Sequence, residues 1–142
     1  MICYMEKIKR VWFSDSRIYI ETSDDKVLSR PLEAFPILKE ATPAQREDYK
    51  IGRFGDDIRW DAIDEDIHIS SFHHEEEPVE DNEVAQMFRH FPWLNISEVA
   101  HQMGIHKTLL SSYIYGMKKP GPERMQLIRN TLRMMGREMM AV

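Results

Sequence analysis

The chain has 142 residues with a formal charge of −5, and 42% of its residues are hydrophobic and 30% charged. That is enough apolar material for one medium or two very small cores. No apolar stretch approaches the roughly 18–20 residues of a membrane helix. The N-terminal MICYMEKIKR lacks an apolar run behind a basic start, so it does not read as a signal peptide. A single cysteine, Cys3, excludes an intrachain disulfide and any multi-cysteine zinc site, and it points to a reduced, cytoplasmic protein.

The net charge hides an asymmetry. Residues 1–80 hold 11 Lys and Arg against 19 Asp and Glu, a net charge of −8; residues 81–142 hold 8 against 5, a net charge of +3. Two modules are expected, the basic one facing an anion. The junction reads as an acidic, solvated linker over 75–82, broken by Pro78. It separates an α+β domain over 1–74 from a helical domain over 83–142.

In chain order, an apolar-rich run containing Ile8, Val11, Trp12 and Phe13 ends at Ser14-Asp15-Ser16. Arg17-Ile18-Tyr19-Ile20-Glu21-Thr22 then alternates with period two, and Lys26-Val27-Leu28-Ser29 follows after Ser23-Asp24-Asp25. Short runs separated by polar turns predict a β-meander. Leu32, Phe35 and Leu38 have helical spacing. Thr42-Pro43 reads as an N-cap with proline at the first helical position, of a helix running to about Lys50. Strands return at Asp57–Trp60 and Ile67–Ile69. The expected module is one mostly antiparallel sheet with one or two short helices.

Asp56, Asp57, Asp61, Asp64, Glu65 and Asp66 crowd together near His68, His73 and His74. A hard cation needs several convergent oxygens, but no glycine-centred twelve-residue calcium loop is present, and an acidic turn with solvated ends accounts for the cluster. His68 alternates with Ile67 and Ile69 and is expected to face solvent, and His73 and His74 to belong to the linker. Nothing supports a nucleophile with its base, a phosphate loop or a metal helix, and Cys3 has no obvious partner base. No catalytic residue, metal or cofactor is expected, and the chain reads as no enzyme.

The strongest pattern runs from Ile96 to Tyr115. Val99, Met103, Ile105, Leu110 and Tyr113 are spaced to fill the wedge between two short, steeply crossing helices. Ala100 is small where they approach, and Gly104 can take the positive φ that turns the chain. Asn95 with Glu98 makes a start like a capping box. Before it, Asp81 or Asn82 can cap a helix whose stripe is Val84, Met87, Phe88 and Phe91. After it, Gly116-Met117-Lys118-Lys119-Pro120 forms a glycine stop and basic loop. Gly121-Pro122 opens a last helix striped by Met125, Ile128, Leu132 and Met135, with Gly136 expected to end or weaken it. Met134, Met135, Met139 and Met140 read as adaptable core filler or as a surface for a dimer partner.

Residues 83–135 resemble the helix-turn-helix of phage repressors of the Cro/C1 type. That resemblance implies an all-α, lambda-repressor-like domain that binds double-stranded DNA. Lys107, Thr108 and Ser112 would touch base edges, and Asn95, Ser97, His106, Lys118 and Lys119 would touch phosphates. Ile96 departs from the polar residue often found at its position. Leu109 would face outward, toward a thymine methyl or a protein. The stretch from Gly52 to Ile69, with Ile58, Trp60, Asp64, Asp66 and Ile67, resembles a bacterial domain-of-unknown-function family that pairs a small α+β module with such a helix-turn-helix. The family has some association with toxin–antitoxin-like gene pairs. The resulting expectation is a DNA-binding transcriptional regulator, acting as a homodimer, whose first domain serves dimerisation or partner sensing. The alternative is an antitoxin-like protein-interaction module whose acidic first domain binds a partner protein.

Overall fold

The computed structural model describes residues 6–142, so Cys3 lies outside the described residues. The chain divides into two compact units between Glu77 and Pro78.

The first unit opens with strands β1 (Ile8–Ser14), β2 (Arg17–Thr22) and β3 (Val27–Pro31), an antiparallel meander in that spatial order. Asp15 and Ser16 both have positive φ, which a two-residue hairpin turn with strand-matching twist demands. Pairing sets Trp12 opposite Tyr19, with their rings stacked 5.5 Å apart. Ile18, Ile20 and Thr22 alternate into the interior. A second antiparallel sheet follows, made of β4 (Lys50–Ile51), β5 (Asp57–Trp60) and β6 (Glu65–His68). Two three-stranded sheets therefore replace the single sheet expected. Pro31 has no N–H with which to extend the ladder, and the chain leaves the first sheet there.

The helical spacing of Leu32, Phe35 and Leu38 does not make one helix. A 3-10 turn (Leu32–Ala34) and the single turn of α1 (Pro36–Lys39) share it, because Pro36 can only start a helix. Helix α2 (Pro43–Glu47) begins as expected: Thr42 and Gln45 form a reciprocal capping box. It stops short of Lys50, which pairs with Arg59 in the second sheet. The two sheets and the short helices bury one core that includes Ile18, Ile20, Leu38, Ile58, Trp60 and Phe72. Trp60 is fully buried, and its indole N–H donates to the Arg46 carbonyl at 2.9 Å.

The second unit consists of α3 (Glu83–His90), α4 (Ile96–Met103), α5 (Lys107–Ile114) and α6 (Pro122–Met140) around Val84, Phe88, Val99, Ala100, Met103, Leu110, Tyr113 and Ile128. Asn82 is the cap of α3, accepting from the Ala85 N–H. Phe91 leaves the expected stripe and is 45% exposed: the residue before a proline is pushed from helical geometry, and its φ is −131°. Helix α6 runs through Gly136 to Met140, since one interior glycine costs only about 1 kcal/mol relative to alanine. No helix among the described residues is long and apolar enough to cross a membrane.

Residues 74–82 are not the free linker expected. Arg30, 4% exposed, donates to the carbonyls of His74 and Glu76, and Arg17 pairs with Glu77 at 2.7 Å. Val79 belongs to the second unit, where its N–H donates to the Gly116 carbonyl and its carbonyl accepts from Asn82 Nδ2. Buried backbone and guanidinium groups need partners, and this segment supplies them on both sides. His73 is likewise not linker: it closes a 3-10 turn (Ile69–His73), with Nε2 2.7 Å from Glu6 Oε1.

Candidate nucleic-acid interface

The α4–α5 pair is built around Gly104, at φ +74°. Its N–H donates to the His101 carbonyl and the next N–H, of Ile105, reaches back to Ala100, so the last carbonyls of α4 are satisfied as the chain turns. Ala100 is buried where a larger side chain would hold the helices apart. His106 caps α5. Its Nδ1 accepts from the Thr108 N–H at 3.1 Å and lies 2.7 Å from Thr108 Oγ1. Nδ1 acts as an acceptor there, which leaves the Nε2–H of the neutral ring as donor. Lys107 is exposed and Thr108 half-buried, so the first turn of α5 presents a cation beside a hydroxyl.

Ser112 does not lie on the surface of α5. It is buried, and its hydroxyl donates to the Leu109 carbonyl at 2.6 Å. Leu110, Ser111, Ser112 and Tyr113 are all buried in succession, since α5 packs against both α3 and α4. The exposed edge of α5 narrows to its N-terminal turn, and Ser112 cannot reach a base edge from the interior. Leu109, expected to face outward, packs in part against the core, as does Ile96, whose apolar character has that use.

The first turn of α4 carries Asn95 and Ser97, both exposed. Asn95 Oδ1 accepts from the Glu98 N–H at 3.0 Å, which leaves the Asn95 amide N–H groups as donors. Glu98 does not complete the box and instead accepts from Gln102. Beyond α5, Lys118 and Lys119 are exposed and make no ion pair among the described residues. Their loop is anchored, because the Met117 and Lys118 N–H groups donate to the Ser112 carbonyl.

Asn82 was legible as a possible cap and Gly116 as a helix stop, but not that both would meet Val79. Gly116 has φ +80°, and a Cβ there would stand 2.0 Å from the Val79 carbonyl oxygen. Asn82 donates to the Val79 and Ile114 carbonyls while capping α3. This clamp and the basic loop border a cavity of about 390 Å³ whose walls include Lys118, Lys119, Asp81 and Glu83. The only local signals were a glycine after a helix and an asparagine before one; their meeting is tertiary.

In the first unit two carboxylates of the cluster, Asp61 and Asp64, are engaged with cations of the same unit. Asp61 accepts from Lys50 at 2.6 Å and Arg59 at 3.0 Å, and Arg59 also reaches Asp64 at 2.8 Å. The ammonium of Lys50, with Arg59, holds the Asp61 carboxyl below its ordinary range, while burial pushes Glu65 up. His68 is exposed, its Nδ1 accepting from the Ser70 N–H. Among the described residues, no group of three or more His, Cys, Asp and Glu side chains is placed to hold a metal ion.

Comparison with known proteins finds one family model, described as a protein of unknown function (DUF2442), that matches residues 8–78. The match spans both sheets and ends one residue past the first unit, leaving the four helices of the second outside it. No curated protein and no solved structure matches the chain. With half of its length, including the buried Trp60 and the strands that carry Ile58 and Ile67, covered by that model, the chain belongs to the DUF2442 family of proteins of unknown function.

Proposed function

We propose that this protein is a sequence-specific DNA-binding transcriptional regulator of the lambda-repressor-like type. In this reading it is a homodimer that lays the first turn of α5 in the major groove. The observation that carries the reading is the short helix pair hinged at Gly104, with Lys107 exposed and Thr108 half-buried at the start of the second helix and Lys118 and Lys119 just beyond it. A helix N-terminus is the part that meets base edges in this docking mode. Lys107 donates to guanine O6 or N7, and Thr108 adds a hydroxyl contact. Asn95, Ser97, His106, Lys118 and Lys119 face phosphates, the first two from a helix start where free N–H groups favour an anion. With Ser112 withdrawn into the core, base reading rests on two side chains, so sequence preference is modest.

Selection of bound sequences from a random duplex pool tests the reading, followed by titration of variants across a salt series. Lys107→Ala costs about 1–3 kcal/mol on the selected site and relaxes preference at one base pair. Lys118→Ala weakens all sequences alike and lowers the salt slope by about one. Equal loss on every sequence would make Lys107 a phosphate clamp; no duplex binding at low salt by the folded chain overturns the reading. A second reading, an antitoxin-like module whose first unit binds a basic partner protein, is favoured by the net charge of −8 over residues 1–80. In that case the first unit alone accounts for partner binding, and variants of α5 leave it unchanged.

A further inference from the structure

Where α4 begins and α6 ends, the second unit carries an open groove of about 420 Å³ walled by Trp93, Leu94, Met135, Met139 and Val142 on its apolar side. Leu94 and Met135 also pack against the unit's core, so the floor is anchored, while Trp93 stands 63% exposed and Met139 48%. Phe91 backs Trp93 edge-on at 5.9 Å. Exposed aromatic and methionine side chains gathered on one concave face are unusual on an unpartnered surface, and methionine suits an irregular occupant.

The charged residues in the wall are Glu98 and Glu138, both exposed, with no cation among the lining residues. Glu98 is steadied by Gln102 Nε2 at 3.0 Å, and Glu138 makes no ion pair among the described residues. Residues 81–142 carry +3 overall, so two of their five carboxylates rim this groove against the trend of the unit. That charge decides the occupant. A second copy docking by a two-fold axis would set the same face against itself and bring the glutamates together. A duplex laid in the groove would set phosphates against carboxylates, although Asn95, the phosphate contact proposed above, is also among the lining residues.

We infer that this groove is a docking site for a basic amphipathic helix of a partner protein. Such a helix would seat apolar anchors at i and i+3 or i+4 on Trp93, Met135 and Met139, and place Lys or Arg against Glu98 and Glu138. A cation beside the Trp93 face adds to the attraction. The inference stands on the groove alone and does not require DNA binding.

The test uses the full chain and two synthetic helical peptides of identical spacing, one of leucine and lysine and one of leucine and glutamate, with backbone amide shifts as the readout. The leucine–lysine peptide is expected to shift amides within 93–102 and 135–142, while the leucine–glutamate peptide does not. Glu98→Gln with Glu138→Gln is expected to weaken binding at least about tenfold without changing the far-ultraviolet circular dichroism, and Trp93→Ser to do the same independently. The acidic first unit also attracts a cationic peptide, so shifts confined to residues 6–77 overturn the inference. So does equal binding of both peptides, undiminished binding to the variants, or the same groove shifts appearing with protein concentration alone, which would assign the face to a second copy.

Discussion

The two units handle charge differently. In the first, most cations are taken up by carboxylates of the same unit, among them Lys9 by Asp25, Arg10 by Glu21, Arg17 by Glu77, Lys39 by Glu33, and Lys50 and Arg59 by Asp61, while Lys7 and Arg53 make no ion pair among the described residues. In the second, Arg89 and Arg129 pair with Asp81 and Glu83, but Lys118, Lys119, Arg133 and Arg137 make no ion pair among the described residues. Exposed pairs of this kind contribute little stability, so the first unit's network mainly orients side chains. The difference teaches that net charge is a weak guide to function. What matters is which charges the fold leaves available to an outside partner.

The largest effect that would test the separation of the units is Trp60→Ala. Removing a fully buried tryptophan leaves a cavity and deletes the bond to the Arg46 carbonyl. A loss of about 3–5 kcal/mol is expected, which takes most of a small unit's stability. Hydrogen exchange of amides in 8–69 should accelerate while that of 96–114 is unchanged. Acceleration in both would show that the units do not hold their structure independently.

Glycine substitutions sharpen the picture of the second unit. Gly104→Ala meets no atom within 4 Å and pays only the left-handed backbone, on the order of 1–2 kcal/mol. Gly116→Ala carries the same strain and also drives a methyl into the Val79 carbonyl at 2.0 Å, so its melting temperature should fall well below that of Gly104→Ala. Equal melting temperatures would mean that Val79 is not seated against Gly116 in solution.

The contrast in available charge has a direct measurement in retention on an anionic matrix over a salt gradient. Lys118→Ala and Lys119→Ala should each elute at lower salt. Arg10→Ala, whose partner Glu21 keeps only Lys9 at 4.0 Å, should not show the loss expected of an available cation beyond its change in net charge. Equal shifts for all three would erase the distinction.

The smallest effect concerns pH. The Arg17 guanidinium beside Glu77 holds that carboxyl below its ordinary 4.5. A depressed carboxyl contributes stability that is present above the unfolded value and lost as pH falls through the folded one, so this contribution fades below about pH 4.5. Glu77→Gln should lower stability slightly at neutral pH and flatten the acid limb of the first unit's unfolding curve. An unchanged acid limb would place the acid sensitivity elsewhere, with Asp24 and Asp61, also held low, as the remaining groups.

Much of the fold was legible because local rules govern it. The alternation of Arg17–Thr22 made a strand, Thr42-Pro43 started a helix, and Gly104 turned left-handed between two helices whose apolar spacing was already visible. Reading failed where a proline competed with periodicity, at Pro36 and Pro92, and where an assignment rested on likeness to a family. Ser112 was placed on an outer edge by position, but α5 is packed on two sides and draws it in.

The sequence by itself determined the division into an acidic strand-rich part and a basic helical part, the capping residues Thr42 and Asn95, and the apolar stripes, because each depends on neighbours within about one turn or one pleat. Only the tertiary structure decided that the chain forms two sheets rather than one. It also decided that His74 and Glu76 are held by Arg30 within the first unit and Val79 by Gly116 within the second, and that a methionine–tryptophan groove rimmed by glutamates opens beside α4. Those features join residues tens of positions apart, and composition and spacing carry no record of which distant groups will satisfy a buried guanidinium or a carbonyl.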